Sequence, residues 1–362
     1  MSNVFGYYLK LMLFGESHGD YIGATLDGIT PGIKIDFDFI DDCLSKRRPK
    51  EYETNRVEKD EYEFISGVFN GFTTGEPLTV LIRNENISSK DYSSLKDIPR
   101  PSHTDYVKNV WSDGYFDYRG GGHSSARLTA PLVILGSILL KALEEKNIYI
   151  SSHIKSIGSL EDKSFSILPS KEELIKLNNM VFPLLSNKKE EMVNLIEKVK
   201  EEGDSIGGSI ETIIIGLKAG LGSPYFNSAE SEISSLMFSI PGVKAISFGL
   251  GQGFETSKGS LANDAFYLKD SKVLTKTNNN GGINGGLTNS MPVLFRLSFR
   301  PTASIYIPQE TINLKENKNE ILELKGRHDP CIVRRASIIV RCLTAIAVSD
   351  MLLSEDGRKA LK

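Results

Sequence analysis

The chain carries five histidines, and four of them (His18, His103, His123 and His328) stand beside Gly, Ser, Asp or Pro. Imidazole is the side chain whose proton moves near neutral pH, so these positions are candidates for acid/base work or for contact with an anion. In Gly15-Glu16-Ser17-His18-Gly19, two glycines let the backbone turn sharply around a hydroxyl and a titratable ring. The same composition serves an ordinary satisfied turn. No H-x-x-x-H or H-E-x-x-H spacing occurs, and Cys43, Cys331 and Cys342 form no C-x-x-C pair, so a metal centre is not expected. His153 stands apart from these motifs and reads as incidental.

Three further segments carry clustered polar chemistry. Arg119-Gly120-Gly121-Gly122-His123-Ser124-Ser125-Ala126-Arg127 places three glycines and two capping serines before an apolar run. It is expected to present free backbone N–H groups at a helix N-terminus, where anions are favoured, with an Arg on each side. It is not a Walker loop, because no Gly-Lys-Ser/Thr follows. Asn278 to Gly286 combines left-handed backbone freedom with amide donors and acceptors, as either a surface turn or a polar ring system would use. Neither this cluster nor Gly249–Gly253 has the G-x-G-x-x-G spacing of a dinucleotide fold. Arg327-His328-Asp329-Pro330 sets two charges and a titratable ring on one loop.

The arginines are unevenly placed. Of 14 Arg, seven lie between Arg47 and Arg127, seven between Arg296 and Arg358, and none in between, whereas the 29 Lys are scattered. Arg is suited to fork-like recognition of carboxylate and phosphate, so the two ends are expected to converge on one anionic ligand.

Periodicity indicates the elements that must position these groups. Apolar residues spaced for one helical face predict helices over Lys188–Glu202 and Ala229–Ser239, and β-branched residues predict a strand over Ser209–Leu217. Leu128–Lys146 and Ala336–Leu353 are apolar enough to be core helices. The 362 residues are 40% hydrophobic and 25% charged, with net charge −3, values of an ordinary globular protein. That balance gives no overall basic field for nucleic acid or anionic membrane, so any anion site must be local. Charges within the longest apolar windows and an N-terminus without a charged start argue against a membrane span or signal peptide. Helices and strands interrupted by glycine loops imply an α+β or α/β domain with a loop-built site.

Together these segments resemble the chorismate synthase family over nearly the whole chain. The motifs appear in family order: Gly15–Gly19; Arg47-Arg48-Pro49; Ser66–Phe69; Thr73–Gly75; Pro101–Asp105; Arg119–Arg127; Gly203–Gly208; the Asn/Gly cluster; Arg300–Ile305; and Arg327–Cys331. The resemblance implies an α+β fold, a β-α-β sandwich in a single large domain over residues 1–362. It also implies conversion of 5-enolpyruvylshikimate 3-phosphate to chorismate and phosphate, an anti-1,4-elimination that needs reduced FMN without net redox change. By the same resemblance, His103 assists phosphate departure, His18 protonates or holds the reduced flavin, Asp329 helps remove the ring proton and Ser17 relays it. Arg47, Arg127, Arg327 and Ser125 match substrate-binding positions, and Arg300, Ser304, Asn280, Gly285 and Ser124 match flavin-binding ones. A cytoplasmic homotetramer is implied, with no nucleic-acid or membrane partner. Some relatives reduce their own flavin with an NADP-type cofactor, but no nicotinamide motif is present here, so an external flavin reductant is expected.

The sequence departs from the family pattern at several points. His123 stands for an Arg and Leu128 for a Glu; Glu51 falls where a ligand-binding Arg is usual, in a Pro49–Arg56 stretch about two residues short; Leu261-Ala262 replaces a polar pair; and Arg334 replaces a common apolar residue or Pro. A scaffold that binds flavin or phosphate without turnover is the competing reading.

Overall fold

The computed structural model describes residues 3–50, 52–53, 59–85, 95–324, 326 and 328–359. Eight α-helices are present among them: α1 (Phe37–Arg47), α2 (Asp105–Trp111), α3 (Thr129–Glu145), α4 (Lys171–Asn178), α5 (Lys189–Glu201), α6 (Ala229–Met237), α7 (Gly259–Ala262) and α8 (Val333–Lys359). The predicted helices and the strand, observed as Gly208–Ile215, agree with these to within a few residues, except that α8 runs on past Leu353.

Two five-stranded antiparallel sheets enclose the principal helices. The first has the order Val4–Phe5, Lys10–Gly15, Tyr21–Asp27, Leu78–Arg83, Tyr62–Ser66. In it, Leu78, Val80 and Ile82 are buried and alternate with more exposed residues, the period-two pattern of a sheet with one covered face. They pair with Leu26, Ala24 and Ile22, which makes one apolar face. The second sheet runs Val243–Phe248, Val293–Phe299, Gly208–Ile215, Tyr149–Ile157, Leu160–Glu161. Its central strand is buried on both faces, as expected of a strand rich in β-branched residues, and Glu211 is buried within it.

Helix α3 packs on the first sheet and against α8, and α8 packs on the second sheet, giving the β-α-β sandwich. One apolar core runs through all three layers. A side chain on Gly136 of α3 would come within 2.5 Å of the Cys342 carbonyl oxygen in α8, so glycine permits this close crossing. Both α3 and α8 are long and apolar enough to cross a membrane, yet most of each is buried inside this fold.

The charges inside these helices have partners. Arg341 donates to the Ile150 carbonyl (2.9 Å), and Asp350 accepts the backbone N–H groups of Tyr7, Tyr8 and Leu9 at 2.7–2.8 Å. The polar interruptions in the apolar windows are therefore internal ties between distant parts of the chain.

One expectation is corrected. The triple glycine does not open the apolar helix: Arg119–Ser124 forms a tight 3-10 turn, a second turn covers Ala126–Leu128, and α3 begins only at Thr129. Gly120, Gly121 and Gly122 have φ of 59°, 90° and 53°, which no right-handed helix accommodates. Ser125 caps the second turn, its Oγ accepting the Arg127 N–H at 3.3 Å.

Candidate active site

The glycine turn is the centre of the site. A side chain on Gly120 would lie 2.2 Å from the His18 ring, and one on Gly121 would lie 3.4 Å from the His103 ring. His18 and His103 therefore flank two consecutive glycines. The Ser17 N–H donates to the Gly122 carbonyl at 3.2 Å, and Ser17 Oγ is 3.2 Å from His18 Nδ1. His123, where the family usually has Arg, lies with Nδ1 2.7 Å from the Gly15 carbonyl and ties the turn to the end of a first-sheet strand. Arg119 is engaged by Asp117 through two bonds of 2.8 and 2.9 Å.

His103 stands before α2 and shares a carboxylate with Arg100. Asp105 Oδ1 is 2.7 Å from His103 Nδ1, while Arg100 grips both Asp105 oxygens at 2.8 Å. Burial would raise the Asp105 carboxyl pKa, but the bonds from Arg100 and His103 outweigh it and hold the group ionised. For His103 burial is the leading influence and lowers the imidazole pKa; the Asp105 bond opposes it, and the charges of Arg100 and Arg300 add to the lowering. The balance disfavours the charged imidazole in the free protein.

Arg100 also reaches Ser304 Oγ at 3.2 Å, bringing in the Arg300–Ile305 segment. Arg300, half-buried, donates to the Pro301 carbonyl. The Gly203–Gly208 loop supports this segment: Ser205 Oγ donates to the Thr302 carbonyl, the Tyr306 N–H donates to the Gly203 carbonyl, and the Ile206 N–H donates to the Pro330 carbonyl. Thr302 Oγ1 in turn donates to the Asp329 carbonyl. The His328 ring lies 5.0 Å from that of Tyr306, and burial, with Arg100 adding to it, pushes its pKa down. His328 Nε2 and Asp329 Oδ1 are buried without a hydrogen-bond partner among the described residues. The other Asp329 oxygen pairs with Arg335 at 2.5 Å, and Arg335 donates to the Arg47 carbonyl at the end of α1.

Arg47 and Arg127 meet through Asp60. Its carboxylate, wholly buried, takes Arg47 Nη1 at 3.2 Å on one oxygen and Arg127 on the other. Asn84 accepts from Arg127 Nε at 3.3 Å and donates to the carbonyls of Glu16 and Gly19, which closes the circuit back to the His18 loop. Arg47 and Arg127 both belong to the amino-terminal set of arginines; the carboxyl-terminal set approaches it where Arg335 donates to the Arg47 carbonyl and where Arg100 and Arg300 both stand near His103.

The remaining positions are placed as follows. Arg327, Glu51 and Arg56 lie outside the described residues. Ser124 ends the glycine turn. Asn280 belongs to a different frame, built on Asp264, whose oxygens accept the Asn279 and Asn280 N–H groups, the Asn280 amide and the Thr277 hydroxyl. Gly285, with φ 58°, has open space where a side chain would stand. Arg334 is buried against Glu53, and Leu128 is a core residue.

Sequence reasoning assigned no role to Arg100, Asp105, Asp60 or Asn84. Asp105 had a signal, the His-x-Asp spacing within Pro101–Asp105; the others are linked only by the fold.

Fold and site define a β-α-β sandwich protein whose loops bring imidazoles, carboxylates and guanidiniums from both ends of the chain close together. The chain belongs to the chorismate synthase family, whose model matches residues 9–353. It is 42% identical over 349 residues to the chorismate synthase of Pyrococcus abyssi, covering 96% of this chain and 97% of that protein. With the chorismate synthase of Phocaeicola vulgatus it shares 40% identity over 358 residues, 98% of each. A crystal structure of chorismate synthase superposes with a TM-score of 0.74 at 28% identity, covering 97% of this chain and 94% of that one.

Proposed function

We propose that the protein is an active lyase of the shikimate pathway, converting 5-enolpyruvylshikimate 3-phosphate to chorismate and phosphate. The observation that carries this reading is the pairing of His18 and His103 across the Gly120–Gly121 turn, with Arg100 and Arg300 close to His103. In the 1,4-elimination a carbon–oxygen bond to phosphate breaks, a ring proton leaves and a new double bond forms. The departing dianion needs cations and a proton donor, and stabilising charge that develops only in the transition state accelerates the step.

His103 would supply that proton. Its Nδ1 is held by Asp105, which leaves Nε2 for the phosphate oxygen, and the incoming phosphate would raise a pKa that burial holds down in the free protein. Arg47, Arg127 and Arg327 would bind the anionic groups of the substrate, and Ser125 would orient it. Ser17, within hydrogen-bond reach of His18, would relay a proton.

The unpartnered buried atoms His328 Nε2 and Asp329 Oδ1 fit a bound polar ring system such as flavin, which would give both a hydrogen-bond partner. Arg300, Ser304, Asn280, Gly285 and Ser124 would hold it, with His18 and Asp329 at its polar edge. Reduced FMN, when bound, supplies electron density to the allylic system. An external reductant would provide the reduced form. We further propose a cytoplasmic homotetramer acting on this small phosphate substrate without nucleic acid or membrane.

The test is anaerobic chorismate formation by purified protein with chemically reduced FMN. Turnover supports the lyase. No turnover with reduced FMN demonstrably bound overturns it in favour of a scaffold that binds without catalysing. NADPH-supported turnover by the pure protein in the dark would remove the external reductant.

A further inference from the structure

We propose that Asp60 is a positioning residue for substrate binding: its single carboxylate, shared between Arg47 and Arg127, sets where the two guanidiniums stand to receive the substrate's anionic groups. This rests on the reading above, in which those arginines bind substrate. The two come from different elements, Arg47 from the end of α1 and Arg127 from the turn before α3, and each would repel the other without an anion between them. Each takes a different Asp60 oxygen, so one rigid carboxylate fixes their separation. Arg48 Nε, buried and without a hydrogen-bond partner among the described residues, lies 3.7 Å from the Arg47-bound oxygen, which makes Asp60 the common neighbour of three arginines.

The backbone is arranged for this. Asp60 has φ 53°, a left-handed conformation that Asp tolerates better than most residues but that is still uncommon outside glycine. Its side chain is fully buried. Arg47 is also fixed from the far side, donating to Thr129 Oγ1 at 3.1 Å and to the carbonyls of Ala126 and Arg127. The Asp60 contact therefore adds an anchor to a guanidinium already held from the far side.

Asp60→Asn keeps the shape and removes the charge; Asp60→Glu keeps the charge and lengthens the arm. In Asp60→Asn the KM for 5-enolpyruvylshikimate 3-phosphate, and the inhibition constant for inorganic phosphate, should rise together by about 10–100-fold, the worth of a hydrogen bond to a charged group, with kcat within about threefold. Asp60→Glu should recover part of that loss. A general weakening of the fold would lower the active fraction and hence kcat, leaving KM in place. Unchanged KM and phosphate inhibition in a folded Asn variant overturns the proposal, as does a fall in kcat at constant KM. If the Asn variant does not fold, the Glu variant decides: a shift in KM supports the role, and an unshifted KM overturns it. Phosphate binding measured by calorimetry needs no turnover. A catalytically silent wild type that binds phosphate more tightly than the Asp60 variants would sink the lyase and leave the role of Asp60 standing; a wild type that does not bind phosphate would sink both.

Discussion

At the scale of single residues, the proposed mechanism rests on two imidazoles held in different ways, His18 beside Ser17 and His103 on Asp105. His103→Ala should lose about 10²–10⁴-fold in turnover, the range for a general acid, while reduced FMN still binds; wild-type turnover would take His103 out of the mechanism. The free-protein pKa of His103 lies below its ordinary value, and a phosphate dianion beside it would raise it, so the pH profiles should separate. The fall in kcat/KM with rising pH should begin at lower pH than the fall in kcat, because only the former reports the free enzyme. Coincident profiles would contradict this assignment. Gly120 gives a second prediction, since any side chain there would strike the His18 ring. Gly120→Ala should cut turnover by about 10²-fold, the penalty for a misplaced catalytic group of ångström size. His18, His103 and Asp329 were legible as residues because glycines, serines and prolines surround them, and Ser304 only through the family resemblance; Asp60 and Asn84, which hold Arg127, were not, because nothing local distinguishes them from surface Asp and Asn.

At the scale of elements, the junction of α1 with α8 does most to aim Arg47. The carbonyls of Lys46, Arg47 and Arg48 at the C-terminal end of α1 accept from Arg334 and Arg335 at the start of α8. Cations at that end satisfy free carbonyls and complement the helix dipole. Arg334 in turn is clasped by Glu53 at 2.7 and 2.5 Å, both side chains fully buried, which explains a charge where relatives commonly have an apolar residue. Glu53→Gln should destabilise the protein by about 3–5 kcal/mol by leaving Arg334 buried without its counter-charge, whereas pairing Glu53→Leu with Arg334→Met should cost far less. Chemical denaturation of the three proteins checks this, and equal losses in single and double variants would contradict it. The helices and the central strand were readable from periodicity. The turn at Gly120–Gly122 was not, because a run of glycine and serine fits a helix cap and a left-handed turn equally well.

At the scale of the whole molecule, one core through three layers argues that the chain unfolds as a unit, as a single domain would, in one calorimetric transition. Part of the stability resides in an unexpected place. His153, which the sequence presented as incidental, is buried between Asp162 at 3.3 Å and Glu211 at 3.2 Å, with Phe165 edge-on to its ring. Burial lowers its pKa, but the two carboxylates outweigh it and raise the pKa above the ordinary value. A raised imidazole pKa adds stability that is complete below about pH 6.5 and disappears as pH rises through the folded-state value. His153→Gln should therefore destabilise more at pH 5.5 than at pH 9; a pH-independent loss would refute the charged pairing. This cluster was illegible because its members are brought together by strand pairing and a loop, not by a motif.

The tie between Asp350 and the N–H groups of Tyr7, Tyr8 and Leu9 joins the first sheet to α8, which lies more than 300 residues further along the chain. On the ribosome, the amino-terminal sheet has neither that anchor nor the α8 layer until nearly the whole chain has emerged. The Arg335 contacts to Asp329 and Arg47 are equally late. The nascent polypeptide must therefore carry an unfinished core until α8 has emerged, and the site is not assembled before then. Closing loops of this length is slow, and it exposes apolar strands to aggregation. A fold whose two ends share one centre thus depends on whatever shields the chain while it waits for its carboxyl-terminal helix.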